Sequence, residues 1–196
     1  MRATSPIARL AVAVIAALLS AFWAQGAAAQ GAVAKAAAAR PWYASGLEKL
    51  GFTVFAKPEP VDDFSVASLE GPPSALRGQK GKIVLLNFWA TWCPPCRAEM
   101  PAIERLWKKE KGKAFTVMGV SVGEEPAKVK EFIGRQGFSY PIFVDPSGVL
   151  GAAFGARSIP TTYILDKAGK AIAGKVGGAP YDGAESVAIF AELASR

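Results

Sequence analysis

The chain has 196 residues, 51% of them hydrophobic and 20% charged, which is the composition of a folded protein with room for one domain and a real core. It carries two cysteines and no histidine, and 23 Lys plus Arg stand against 16 Asp plus Glu for a formal charge of +7. Those counts exclude, within one chain, a Cys₄ or Cys₂His₂ zinc site, a four-thiolate iron–sulfur cluster and any Ser-His-Asp or Cys-His nucleophile system.

At the N-terminus Arg2 and Arg9 precede the apolar stretch 10–24, and Ala27-Ala28-Ala29 follows it. Basic, apolar and small-residue regions in that order are expected to act as a secretory signal peptide over residues 1–29, with cleavage after Ala29. The rival reading is an uncleaved N-terminal membrane anchor, for which the apolar stretch is short against the roughly 20 residues of a spanning helix. Either way the rest of the chain is expected outside the cytosol, in a periplasm or on the outer face of the cytoplasmic membrane, where a lone Cys pair is a staple or a redox site. The basic surplus suits acidic partners or an anionic membrane surface; being spread along the chain, it leaves no nucleic-acid footprint.

Residues 30–40 are Ala-rich with no apolar stripe and are expected to be a tether. Residues 41–60 hold aromatics, a possible short helix and a possible strand, closed by Pro58 and Pro60, and form with the tether an N-terminal extension (30–60) ahead of a main domain at 61–196. Residues 64–69 alternate weakly and predict a short strand. Residues 83–89 (IVLLNFW) are continuously apolar, as in a strand buried on both faces. Residues 94–111 predict a helix kinked at Pro101 and ended by Gly112. A second buried strand is expected at 115–122 and a helix at 126–136, with Pro126 in its first turn and Gly137 past its end. A short strand follows at 142–144 and a short helix at 149–154. Strands at 161–165 and 170–175 flank the hairpin signal Asp166-Lys167-Ala168-Gly169. Asp182 and Glu185 have capping-box spacing for a last helix ending near Ala194. The alternation implies an α/β fold whose central mixed sheet is flanked by helices.

Thr91-Trp92-Cys93-Pro94-Pro95-Cys96 joins the first buried strand to the long helix. At a helix N-terminus the backbone amides and the macrodipole favour a thiolate, the species that attacks a disulfide. With Cys93 as N-cap, Pro94 and Pro95 fill the first two helical positions without an N–H, so the Cys96 amide becomes the main local donor to Cys93. The Cys93 pKa is therefore expected to be lowered, but less than where both intervening residues carry amides. Cys93 is the expected exposed attacker, and Cys96, one turn in, the shielded resolving thiol. A purely structural disulfide would close so small a loop that it constrains the unfolded chain little.

The segment Gly81-Lys82-Ile83-Val84-Leu85-Leu86-Asn87-Phe88-Trp89-Ala90-Thr91-Trp92-Cys93-Pro94-Pro95-Cys96-Arg97-Ala98-Glu99-Met100-Pro101 closely resembles the active-site segment of the TlpA/ResA/CcmG family of exported or membrane-tethered thioredoxin-like thiol–disulfide oxidoreductases. The resemblance runs from about Val61 to the C-terminus. It implies a thioredoxin-like fold with an inserted strand-helix unit near 115–136, a protein disulfide as substrate, and a membrane thiol reductase as electron donor. It suggests cytochrome c haem-site cysteines or a copper-site assembly protein as the client. Glu99, three residues after Cys96 on the same helix face, is the expected proton acceptor and donor for the buried thiol. Asn87 stands where thioredoxins have a buried Asp, and Asn cannot titrate. Ser158-Ile159-Pro160-Thr161 resembles the cis-proline loop, whose Ile159 backbone pairs with an extended substrate. Trp92, Pro94, Pro95, Ile159, Pro160 and Thr161 are thus the expected substrate contacts, and Trp89 is expected in the core. No dinucleotide signature is present, so no cofactor is expected, and no metal site either. Two alternatives are a thiol peroxidase, whose expected Pro and Thr do not stand at the right spacing before Cys93, and a metallochaperone, which in relatives has C-x-x-x-C and a distant His.

Overall fold

The computed structural model describes residues 40–196; the expectations of a signal peptide or anchor at 1–29 and of a tether lie outside the described residues, Arg40 apart. In chain order the elements are α1 (Ala44–Lys49), β1 (Thr53–Glu59), β2 (Ser65–Ser68), β3 (Ser74–Ala75), a 3₁₀ turn (Leu76–Gln79), β4 (Ile83–Trp89), α2 (Pro94–Glu110), β5 (Phe115–Val122), α3 (Pro126–Gln136), β6 (Ile142–Asp145), α4 (Val149–Ala153), β7 (Thr161–Leu165), β8 (Ala171–Val176) and α5 (Ala184–Ser195). The eight strands form one mixed sheet in the order β1-β8-β7-β4-β5-β6-β2-β3. β4 runs parallel to β5 and antiparallel to β7, so the strand that leads into the cysteines lies between the expected inserted unit and the hairpin.

Every residue of β4 is buried, and the period of two sends its side chains to two cores. Ile83, Leu85 and Trp89 join Leu47 of α1, Met100, Ile103 and Leu106 of α2, Val129 and Phe132 of α3, and Phe190 and Leu193 of α5. Val84, Leu86 and Phe88 join Met118, Val120, Phe143 and Leu165 on the other face, against which Leu150 and Phe154 pack. Asn87 shares the face of Leu85 and Trp89, and so points toward α2. α2 runs through Pro101 without a break. Gly137 ends α3 in the left-handed region at φ 69°, as a C-terminal glycine should.

The segment 42–60 packs onto the rest of the compact unit, which runs from Trp42 to Arg196. β1 pairs antiparallel with β8 at the sheet edge, and Leu47, Leu50 and Phe52 are buried in the larger core. One expectation is corrected: the capping box does not form. Gly183 is the N-cap of α5 with no side-chain cap, and the Asp182 carboxylate instead accepts a 2.7 Å hydrogen bond from Arg105 Nε on α2. A cross-element ion pair took the group that local spacing had assigned to the cap.

Candidate active site

Cys93 and Cys96 are joined in a disulfide at the head of α2. Cys93 is the N-cap, Pro94 and Pro95 open the helix, and the Cys96 amide donates to Cys93 Sγ at 3.3 Å. The Ile159–Pro160 peptide is cis, and the Ile159 carbonyl oxygen stands 3.6 Å from Cys93 Sγ. That carbonyl therefore faces the sulfur rather than open solvent.

Not all expected contacts are exposed. Trp92 is 62% exposed, and Pro94 and Pro95 are exposed beside it, while Trp89 is wholly buried. Cys93, expected to lie open, is only 3% exposed, because its sulfur is tied to Cys96 and approached by the Ile159 carbonyl. Cys96 is fully buried as expected. Ile159 is half-buried and Pro160 buried. Thr161, expected to touch substrate, is buried; its hydroxyl donates to the Ser158 carbonyl, and its backbone sits in register with Phe88 and Val176. Its side chain shapes the loop from within.

Behind the disulfide lies Glu99, 5% exposed. Its Oε1 accepts a 2.9 Å hydrogen bond from Asn87 Nδ2, which also donates to Thr162 Oγ1 at 2.9 Å; the Tyr181 hydroxyl donates to the same oxygen, again at 2.9 Å. Glu99 Oε2 has no hydrogen-bond partner and stands 3.4 Å from where a Cβ on Gly178 would be. Burial pushes the Glu99 carboxyl up to about 7, against the Asn87 hydrogen bond, the neighbouring Ala179 amide and the charge of Lys175, all of which lower it. A carboxyl that titrates near neutrality one helical turn past a thiol can take that thiol's proton or return it.

On the other side, Glu124 from the β5–α3 loop holds the turn that carries the cysteines. Its carboxylate accepts hydrogen bonds from the Thr91 amide (2.7 Å), the Thr91 hydroxyl (2.5 Å) and the Ser121 hydroxyl (3.0 Å), and pairs with Lys128 Nζ at 2.9 Å. Burial works to raise its pKa, but the hydrogen bonds from Thr91, Lys128 and Ser121 outweigh burial and hold the carboxyl below the usual range. Glu124 could not be singled out beforehand, since in sequence it is one of two acids ahead of a helix. Tyr181 and Thr162 were also missed, because the Thr162 hydroxyl meets Asn87 only across the sheet, and the Tyr181 hydroxyl in turn meets Thr162.

Fold and site together define a thioredoxin-like protein with a C-x-x-C disulfide at a strand-to-helix junction. Comparison with known proteins agrees. The model of the AhpC/TSA family matches residues 58–173. The thioredoxin-like protein YneN of Bacillus subtilis is 45% identical over 109 residues, 55% of this chain and 64% of that relative, so the match spans just under two thirds of its length. The thiol-disulfide oxidoreductase ResA of Geobacillus thermodenitrificans is 35% identical over 63% of this chain and 77% of its own length. A secreted thiol-disulfide isomerase from Corynebacterium glutamicum superposes with a TM-score of 0.65 at 25% identity, covering 74% of this chain and 91% of that one. The chain belongs to the AhpC/TSA family and, within it, to the thioredoxin-like thiol–disulfide oxidoreductases of the ResA type.

Proposed function

We propose that this protein works outside the cytosol and reduces the disulfide of a specific client protein. The observation that carries the reading is the placement of Cys93 between the Cys96 amide and the Ile159 carbonyl, with the raised carboxyl of Glu99 one turn behind. In the reduced protein the Cys93 thiolate attacks a client sulfur, and the second client sulfur leaves as a thiolate that takes up a proton. Glu99 then accepts the proton of Cys96, whose thiolate attacks Cys93 Sγ in the mixed disulfide and expels the other client sulfur as a thiolate, which takes that proton up from Glu99. The client gains two electrons and two protons, and the protein is left with the Cys93–Cys96 disulfide seen here. A membrane thiol reductase is the proposed electron donor, since the chain has no nicotinamide or flavin signature. Cytochrome c haem-site cysteines or a copper-site assembly protein are the proposed clients, and an N-terminal leader or anchor the proposed means of export. Among the described residues no helix is long and apolar enough to cross a membrane.

The test is trapping. Cys96→Ala, expressed in the native compartment, is expected to hold one or a few discrete partners on Cys93. A broad smear of exported proteins would argue for a general oxidant instead. The AhpC/TSA match gives peroxide reduction a hearing as a second reading. Against it, the Thr91 hydroxyl is committed to Glu124 and stands two residues before Cys93. Peroxide consumption by the reduced protein at a rate rivalling disulfide reduction would revive it.

A further inference from the structure

We propose that a cleft beside the disulfide receives an acidic segment of the client, close in sequence to the client's own cysteines. This rests on the thiol–disulfide exchange reading and adds to it the charge of the preferred client. The cleft, of about 410 Å³, lies between the start of α2 and α3 and is lined chiefly by Thr91, Arg97, Lys128, Glu131, Phe132 and Arg135. Thr91 and Arg97 bracket the C-x-x-C segment, one standing two residues before Cys93 and the other next after Cys96. A chain lying in the cleft therefore passes the two residues that flank the C-x-x-C segment.

The charges decide what fits. Lys128 is neutralised by buried Glu124, and Arg135 by Glu131. Arg97 is exposed and has no carboxylate partner among the described residues; its guanidinium lies over the Phe132 ring, 6.0 Å from the centroid. Phe132 is itself buried, so the ring is a fixed platform rather than a mobile cover. A guanidinium stacked on an aromatic face keeps its edge donors free in a set direction, the geometry that takes a carboxylate in a bidentate pair. The one unmatched charge of the cleft is thus a presented cation. Asp or Glu satisfies it, while Lys or Arg there meets like charge without compensation.

The test uses the reduced wild-type protein and three disulfide-linked peptides that differ only in Glu, Gln or Lys beside the cysteines. At low salt the second-order rates are expected in the order Glu, Gln, Lys, with about fivefold or more between the extremes, converging in 1 M salt. Arg97→Glu is expected to invert the order and Arg97→Gln to collapse it. Comparing peptides within one variant cancels any change in intrinsic thiol reactivity. Lys111→Glu makes the same charge change past the far end of α2 and is expected to keep the wild-type order. Equal rates for the three peptides, an order unmoved by Arg97→Glu, or an equal effect from Lys111→Glu would each overturn the proposal. Its failure is distinct from that of the redox reading: a wild-type protein that does not reduce even a small neutral disulfide sinks the latter, whereas ready reduction without charge preference sinks only the cleft.

Discussion

Asn87 Nδ2 and Glu99 Oε1 are joined by a buried 2.9 Å hydrogen bond that ties the strand before the disulfide to the helix after it. The bond places an amide that cannot titrate against a carboxyl that burial has brought to about 7. The donor favours the ionised carboxyl, so it restrains the shift that burial causes. Asn87→Leu is accordingly expected to move the Glu99 titration upward by about one unit, read from the carboxyl carbon by NMR in the oxidised protein. A titration that stays at the wild-type midpoint would show that this hydrogen bond does not set it.

Glu99 also makes stability depend on pH. Its folded pKa of about 7 lies above the ordinary 4.5, so between those values the folded state holds a proton that the unfolded state has released. Stability therefore falls as pH rises through that window and stays lower above it. At about 1.4 kcal/mol per unit, the effect reaches at most about 3.5 kcal/mol. Urea unfolding of oxidised Glu99→Gln should match wild type near pH 4 more closely than at pH 8, where the variant gains. The same variant should lose the inflection near neutrality in the pH profile of disulfide exchange; an unchanged profile would remove Glu99 from the chemistry.

Glu124 has the opposite sign. Its carboxyl is held below the ordinary range, so its contribution is present above the unfolded pKa and is lost as pH falls through the folded one. Glu124→Ala leaves Lys128 unpaired and the Thr91 amide and hydroxyl without their acceptor, and is expected to cost about 2–4 kcal/mol. Exchange with a neutral disulfide should also slow by about tenfold, as the turn before Cys93 loosens. Thr91→Val, which removes the hydroxyl and keeps the amide bond, should show a smaller loss of both.

The segment 42–60 should behave as core. Leu47 is fully buried on α1, and Leu47→Ala is expected to destabilise by about 2–5 kcal/mol in thermal or denaturant unfolding. A change below about 0.5 kcal/mol is what surface positions show, and would restore the idea of an extension that merely rests on the domain.

The helices and strands from 83 onward were legible because each is specified by near neighbours. The unbroken apolar run of β4, the prolines that open α2 and α3 and the glycine that closes α3 all act within a few residues, and β4, β5, α3 and β7 fall where the pattern put them. The C-x-x-C at a strand-to-helix junction, the N-cap role of Cys93 and the shared face of Cys96 and Glu99 follow from the same local geometry. Within 41–60 the pattern offered a possible strand without a place in the sheet, and its edge position is decided by pairing with β8.

By itself, then, the order of residues determined a mixed α/β domain with two sulfurs at a helix head and an acid one turn on, since 3.6-residue and two-residue periods need no distant partner. Only the tertiary structure decided that Glu99 meets Asn87, that Glu124 grips Thr91 from 33 residues away, that Asp182 serves Arg105 rather than its own helix, and that Arg97 is left facing an open cleft. Burial and charge pairing depend on which groups packing brings within a few ångströms. For groups far apart along the chain, that is a property of the whole fold.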